Sequence, residues 1–165
     1  MSAQALTDVL TKMYKLHQSL FEVATRKTEI VKKSDIEALS SIMKEENKHV
    51  MAINQLEEER KQIVAKMMSG HPIQGNEPTL TECIETLPNE ERNSLLTIKD
   101  KLANKVNELK KLNLLNQELI YSSLQFVNLS LDLIMPKQPE SLNYNKPQVK
   151  GQTGTKNRSM FDSKA

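Results

Sequence analysis

Apolar residues recur at intervals of seven along the start of the chain, in three neighbouring rows. The rows are Leu6, Met13 and Leu20; Val9, Leu16, Val23 and Ile30; and Leu10, His17, Ala24 and Val31. Charged and polar residues such as Lys12, Gln18 and Glu22 occupy the opposite side. A wide apolar stripe opposite a charged face is typical of an amphipathic helix whose stripe packs against other helices. The pattern therefore predicts a first helix from Ala3 to Lys33.

A second amphipathic segment begins near Ser34. Ser34 and Glu37 have the spacing of a capping box, in which each side chain binds a free amide at the helix start. The heptad phase changes here, because continuing the first stripe would place Glu37 and Lys44 in it. Gly70 followed by Pro72 predicts the end of the helix. Its apolar residues are Ile36, Leu39, Ile42, Met43, Val50, Ile53, Leu56, Ile63, Val64 and Met67. We expect the two helices to form an antiparallel hairpin, the alternative being one bent continuous helix.

Three charged residues, Glu46, Glu57 and Arg60, occupy positions of the second helix at which apolar residues would pack. One interpretation is that they set the register of the hairpin or contact a partner. The interpretation we favour is that their long side chains lie along the edge of the apolar stripe and place their charged ends in water.

The third long helix is predicted from Asn89 to Ile134. A connector, Gly70–Pro78, precedes it, and a short helix begins at a second capping box formed by Thr79 and Glu82. At about 1.5 Å per residue the third helix is roughly 70 Å long, against about 50 Å for each of the first two. The hairpin cannot cover such a helix along its whole length, so part of it is expected to overhang.

The second half of this third helix changes character after Lys111. Charged residues become rare, and apolar residues form two rows roughly 100° apart around the helix axis. The rows are Asn113, Asn116, Ile120, Val127, Leu131 and Ile134, and Leu112, Leu115, Leu119, Phe126, Leu129 and Leu133, with Tyr121 and Leu124 beside them. One hairpin covers only one face, so the segment is either the central helix of the bundle or a groove for another protein's amphipathic helix. Self-association through the same surface is a third interpretation.

The composition changes again after Met135. Prolines and glycines are spaced among Asn, Gln, Lys and Ser residues, a pattern that predicts a disordered tail from 136 to 165. This tail carries six basic and two acidic residues, a net charge of about +4 in a chain whose total is +2. Met160 and Phe161 place two adjacent bulky apolar residues near its end, either as a short recognition element or by chance. The sequence thus divides into a helical domain, 1–135, and a basic tail, 136–165.

The chain offers no pattern typical of a catalytic, metal or cofactor site. His17, His49 and His71 are the only histidines, and none has a partner at the spacing of a helical metal site. The four glycines include no phosphate-binding loop, and the absence of tryptophan and scarcity of aromatics disfavour a stacking platform for single-stranded nucleic acid. We therefore expect no enzyme activity, no cofactor and no nucleic-acid binding.

The cellular compartment is predicted from three further observations. Cys83 is the single cysteine, so no internal disulfide forms and a reducing compartment is expected. The first residues lack a basic region followed by an apolar run, the pattern of a secretory signal. The apolar stretch Leu112–Met135 contains Asn, Gln, Glu and Asp side chains that hydrocarbon does not tolerate. We expect a cytoplasmic protein without membrane insertion.

Three segments resemble the FlgN-type flagellar export chaperones. They are Lys33–Leu39 and Gln55–Arg60 in the second helix and Leu112–Ile120 in the third. The similarity extends over about Leu6–Ile134 and rests on the order of these coiled-coil segments and on the overall architecture. The resemblance implies an all-α fold, an antiparallel helical hairpin plus one long third helix in an elongated bundle, with a disordered C-terminal tail.

The resemblance also implies a function. Such chaperones bind the C-terminal segments of the hook–filament junction proteins, prevent their premature assembly and deliver them to the flagellar type III export gate. The family's client-binding region is its C-terminal helix, which corresponds here to Leu112–Ile134. Family members also contact the export gate through C-terminal residues, for which Tyr121 and Tyr144 are both candidates. The predicted partner-binding residues are Leu112, Leu115, Leu119, Ile120, Tyr121, Leu124, Phe126, Leu129, Leu133, Met160 and Phe161.

The main alternative is a coiled-coil adaptor or cytoskeletal protein that acts through permanent self-association. It would use the same heptads for a stable dimer, whereas a chaperone would self-associate, if at all, only when free of client. Sedimentation at several concentrations distinguishes the two. A nucleic-acid binder that uses the basic tail is a further alternative, and its affinity would fall steeply with salt.

Overall fold

The computed structural model describes residues 3–73 and 75–135. This part of the chain folds into four helices: α1 (Ala3–Lys32), α2 (Ile36–Met67), α3 (Leu80–Glu85) and α4 (Asn89–Ile134). No strand occurs among the described residues. The all-α prediction is confirmed, and α1 and α2 are two helices joined by a tight turn. The predicted tail, 136–165, with its domain boundary, lies outside the described residues.

The turn between α1 and α2 corrects one prediction. Ser34 has a φ of 55°, in the left-handed region, and its amide and that of Asp35 donate to carbonyl oxygens of the last turn of α1. A residue that closes a helix in this way cannot also begin the next one, because an N-cap has an extended backbone. Asp35 is the N-cap of α2, and its carboxylate accepts a hydrogen bond from the Ala38 amide at 2.9 Å. The predicted Ser34–Glu37 capping box is wrong.

The other predicted helix boundaries agree with the structure. Thr79 and Glu82 form the predicted capping box at the start of α3, with the Glu82 carboxylate accepting from the Thr79 amide at 2.8 Å. After α2, Gly70 adopts a φ of 88°. A positive φ is unfavourable for residues that have a Cβ atom, so the turn after α2 favours glycine at position 70.

The central helix of the bundle is α1. It packs against α2 on one side and α4 on another, whereas no Cα atom of α2 lies within 8 Å of one in α4 among the described residues. Leu95 of α4 packs with Leu6 of α1, and Leu109 packs farther along with Leu20. Hence α4 runs parallel to α1, and α2 runs antiparallel to both. The three apolar rows of α1 are explained by this position, because the helix has two neighbours to contact.

The apolar stripe of α2 is narrower than its sequence suggests. Ile42, Ile63 and Val64 are buried, but Met43 is 48% exposed and Val50 45% exposed. Because α2 packs mainly against one helix, α1, only one of its apolar rows is covered. Val50, one of the apolar residues from which the second helix was predicted, therefore lies outside the hairpin core.

The three charged residues in the predicted seam of α2 are paired at its edge. Glu46 accepts a hydrogen bond from Lys27 of α1 at 2.7 Å, which links the two arms of the hairpin. Glu57 binds Arg60 of the same helix through two hydrogen bonds of 2.6 and 2.8 Å. Hydrogen bonding to Arg60 lowers the pKa of the Glu57 carboxyl. Both pairs are partly buried at the edge of the apolar stripe, where each carboxylate has a cationic partner.

A buried asparagine joins α1 to α4. Asn116 is 2% exposed; its side-chain amide donates to the Ala24 carbonyl oxygen at 2.8 Å, and its carbonyl oxygen accepts from the Thr28 hydroxyl at 2.6 Å. A buried polar side chain is stable only when its hydrogen bonds are formed. The contact therefore favours one register of α4 against α1, and it places the following residues of α4 relative to the end of α1.

We expect Asn116→Leu to lower the free energy of unfolding by about 1–3 kcal/mol, because the Ala24 carbonyl oxygen loses a buried donor and the Thr28 hydroxyl a buried acceptor. Urea unfolding followed by circular dichroism measures the change. The double variant with Thr28→Val should cost less than the sum of the two single variants, since the two side chains share one interaction. Additive effects would show that Asn116 does not act through Thr28.

Candidate functional site

The second half of α4 carries an exposed apolar surface. We define the C-terminal apolar surface as the predicted partner-binding residues of α4: Leu112, Leu115, Leu119, Ile120, Tyr121, Leu124, Phe126, Leu129 and Leu133. None of them is buried; Leu112, Leu119 and Ile120 are half-buried and the others are exposed, with Phe126 at 71% and Leu133 at 80%. A contiguous exposed surface of large apolar side chains is typical of an interaction site.

The exposure follows from the lengths of the helices. The last turn of α1, at Ile30 and Val31, lies against Ile120 and Val127 of α4. From Asn128 to Ile134 α4 extends beyond that turn, and every residue except the half-buried Ser130 is exposed. The overhang expected from the excess length of the third helix is thus present.

Two serine hydroxyls within this surface are hydrogen-bonded to the helix itself. Ser123 donates to the Leu119 carbonyl oxygen and Ser130 donates to the Phe126 carbonyl oxygen, each at 2.8 Å. A partner that covers these two hydroxyls does not break their hydrogen bonds, so burying these two groups costs little. Between Leu112 and Met135 the charged residues are Glu118 and Asp132, and there is no lysine or arginine. The surface is therefore apolar and weakly acidic.

A hollow of about 160 Å³ lies where three helices meet at the base of this surface. Its apolar lining is contributed by α1, by the start of α2 and by α4. The lining residues are Ile30, Val31, Ile36, Leu39, Ile120, Leu124 and Val127, with Ser34, Asp35 and Ser123 at the polar positions. We call this hollow the three-helix pocket. It connects the C-terminal apolar surface to the turn between α1 and α2.

Sequence reasoning missed the contribution of α2 to this pocket. Ile36 and Leu39 were among the apolar residues predicted for the second helix. Leu39 packs in part against the core, whereas Ile36 is 80% exposed, and both line the pocket. One feature of the sequence indicates that Ile36 is exposed. It comes directly after the N-cap Asp35, so it lies in the first turn of α2 at the end of the bundle.

Two predicted partner-binding residues, Met160 and Phe161, lie outside the described residues, as does Tyr144. Tyr121, the other candidate contact for the export gate, is exposed on α4.

His17 and His49 form hydrogen bonds within a helix or between two helices. The His17 ring donates from Nδ1 to the Met13 carbonyl oxygen at 2.8 Å, and the His49 ring donates from Nδ1 to the Glu45 carbonyl oxygen at 2.9 Å. The other nitrogen of His49 is 2.7 Å from the Ser19 hydroxyl of α1. Across the described ranges, no group of three or more His, Cys, Asp or Glu side chains could hold a metal ion. None of the four described helices combines the length and hydropathy needed to cross a membrane.

Cys83 is enclosed between α2, α3 and α4. Its side chain is fully buried, and desolvation raises the pKa of its thiol. The thiolate is the reactive form of cysteine, so both burial and the raised pKa make this thiol unreactive.

We expect the Cys83 thiol of the native protein to remain unmodified by Ellman's reagent over a period in which the urea-unfolded protein reacts completely. Absorbance of the released thionitrobenzoate measures the reaction. A native protein that reacts as fast as the unfolded one would contradict the placement of Cys83 in the core.

Comparisons with known proteins identify a family and one relative. The sequence model of the family described as FlgN protein matches residues 1–151. The chain is 31% identical over 165 residues to the uncharacterized protein YvyG of Bacillus subtilis strain 168, and the match covers 100% of both chains. No solved structure matches the chain.

Proposed function

Because the chain belongs to the FlgN family of flagellar export chaperones, we propose that it binds the C-terminal helical segments of hook–filament junction proteins in the cytoplasm. The client segment lies on the C-terminal apolar surface of α4. There it is kept from premature assembly until it is delivered to the type III export gate. The observation that carries this proposal is the exposed, contiguous apolar surface at the end of α4.

The surface is suited to an amphipathic helix. Leu112, Leu115, Leu119 and Phe126 follow one another at spacings of three, four and seven residues, which places them along one side of α4. A client helix with the same periodicity can pack its own apolar stripe alongside them, the recognition mode in which anchor residues enter a groove. Extended peptides that bind by adding a strand need a sheet edge, which the described part of the chain lacks.

The energetics of such a complex favour reversible binding. Covering one Leu or Phe side chain contributes roughly 1.5–3 kcal/mol, so several anchors together exceed the cost of association. A segment whose apolar face lies on α4 cannot make its assembly contacts at the same time. Because almost no charged group of α4 takes part, affinity depends mainly on apolar area, and the client can be released without breaking ion pairs.

The same family assignment bears on catalysis. FlgN is a family of chaperones and not of enzymes. We propose accordingly that His17, His49, His71 and Cys83 have no part in client handling, apart from the stability that His17, His49 and Cys83 contribute through the contacts described above.

A second candidate function is that of an adaptor that acts through permanent self-association. The exposed row of Ile36, Met43 and Val50 on α2 favours it, because two apolar surfaces on one chain suit a dimer. Sedimentation velocity distinguishes the candidates. A chaperone is a monomer at low micromolar concentration and sediments as a one-to-one complex with a client peptide, whereas an adaptor remains a dimer throughout the range.

The proposal is tested by calorimetric titration of the full chain with synthetic C-terminal peptides of the junction proteins from the same organism. We expect one peptide per chain, a negative heat-capacity change because apolar surface is buried, and a gain of helical circular dichroism when the peptide binds. A scrambled peptide of the same composition is the control. Equal binding of both peptides, or of neither, would exclude specific client recognition.

A further inference from the structure

We propose that the chain's own C-terminal end occupies the three-helix pocket when no client is bound, with the Phe161 ring inside it and Met160 on the adjoining surface of α4. The docking itself needs no client. Its consequence for client binding rests on the proposed function, because the docked end would cover part of the surface on which a client lies.

The size and chemistry of the pocket fit an aromatic ring. Its volume is about 160 Å³, and an apolar protein cavity of about 150 Å³ holds a benzene molecule. Within residues 136–165, Met160 and Phe161 are the single pair of adjacent bulky apolar residues. A phenylalanine ring has no polar atom that would need a partner, which suits a lining made mostly of isoleucine, leucine and valine side chains.

The connection between pocket and tail is short enough for this contact. Val127 lines the pocket, and α4 ends at Ile134, about 10 Å farther along the axis at the helical rise. Twenty-six residue steps connect Met135 to Phe161, and at up to about 3.3 Å per residue they can span this distance several times over. The end of the chain therefore reaches the pocket easily. A connection of this length would set an effective concentration on the order of 1 mM for the Met160–Phe161 pair at the pocket.

Charge favours the same contact. The tail carries six basic residues against two acidic ones, whereas Leu112–Met135 carries Glu118 and Asp132 and no basic residue. Asp35 lies at the mouth of the pocket and is exposed. Lys32 and Lys33, between the lining residues Val31 and Ser34, offset part of this attraction at the pocket itself. The two carboxylates of α4 draw a basic segment toward that helix, and the attraction weakens as salt screens it.

The consequence for binding follows from competition. If the Met160–Phe161 pair alone bound the pocket with a dissociation constant between about 0.1 and 1 mM, the docked form would hold about half to nine-tenths of the chains. The apparent affinity for a client would then be about two- to tenfold lower than without docking. A weak contact of this kind shields apolar surface from other proteins yet yields to a client.

The docking is tested by paramagnetic relaxation enhancement in the full chain without client. A nitroxide is attached to Ser163→Cys; Cys83 is left in place because it is buried. We expect strong broadening of the amide signals of Val31 and Leu39 and none at Leu95. The same label in the variant Met160→Ser/Phe161→Ser should leave Val31 and Leu39 at least twofold less broadened. Equal broadening in both labelled proteins would overturn the proposal, because it would show only the random approach of a tethered chain.

A second sample distinguishes contact within one chain from contact between two chains. It mixes nitroxide-labelled protein of natural isotope content with ¹⁵N-enriched protein that carries no nitroxide, so that only the second protein gives amide signals. We expect no broadening in the mixture. Broadening there would mean that the pocket takes the tail of a second copy, which would refute docking within one chain.

The competition is tested with the junction-protein peptide by calorimetry. Met160→Ser/Phe161→Ser should tighten peptide binding about two- to tenfold, with the gain largest at low salt. A weaker affinity would show that the pair is a client contact and would overturn the competition. If no peptide binds either protein, the proposed function fails, while the relaxation experiment still decides whether the tail docks.

Discussion

Replacing both Phe126 and Leu129 with serine is expected to leave the melting temperature almost unchanged and to weaken binding of a junction-protein peptide by at least about 100-fold. The two side chains are 71% and 61% exposed, so the free protein loses little packing when they are replaced. Each contributes roughly 1.5–3 kcal/mol when a partner covers it, and about 1.4 kcal/mol corresponds to a tenfold change in affinity. Calorimetric titration measures affinity, and circular dichroism at rising temperature measures stability.

The control for this experiment is an equally exposed apolar residue elsewhere. Met51 of α2 is 66% exposed and lies outside the C-terminal apolar surface; its replacement by serine should alter neither stability nor binding. Leu119 is left unchanged, because it is half-buried and its loss would mix the two effects. Unaltered binding in the folded double variant would move the client site away from this surface, whereas loss of folding would show that these side chains belong to the core.

Leu95→Ala is expected to have the largest effect on stability, about 2–5 kcal/mol. Leu95 is fully buried at the point where α1, α2, α3 and α4 pack into one cluster. Removing a leucine side chain from such a site loses its transfer free energy and leaves a cavity that the surrounding helices fill only in part. Urea unfolding followed by circular dichroism measures the loss, with the slope of the transition checked for constancy.

Leu133→Ala provides the matched control, since it makes the same substitution on the same helix. Leu133 is 80% exposed, so we expect a change in stability below about 0.5 kcal/mol. Comparable losses for both variants would show that the end of α4 is packed in solution, against a second chain or against its own tail. Repeating Leu133→Ala at several protein concentrations separates these two cases.

The asymmetry of α4 links stability and function in this protein. Its first half, around Leu95 and Leu109, packs in the two core clusters. Its second half holds apolar side chains that the fold leaves open, and Asn116 marks the junction between the two parts. A client that binds the second half as we propose would meet a helix whose other half is already anchored in the core, which lowers the entropic cost of binding.

Much of the secondary structure was determined by the sequence alone. The bounds Asn89–Ile134 were predicted as the structure has them, and the capping box at Thr79 was recognised. Helix periodicity and caps depend on residues three to seven positions apart, so a linear pattern contains the information. Helix lengths follow from the same bounds, and the excess length of α4 was enough to predict an exposed end.

Tertiary structure decided which of these helices lie side by side. Heptad rows show that a face is apolar but do not identify its neighbour, so the central position of α1 and the exposure of Val50 could not be read from the pattern. Asn116 stands in an apolar row with nothing nearby in the sequence to explain it; its partners, Ala24 and Thr28, are 92 and 88 residues away. The three-helix pocket likewise joins residues of three helices. Such contacts depend on distances through space, which the chain acquires only when its helices pack.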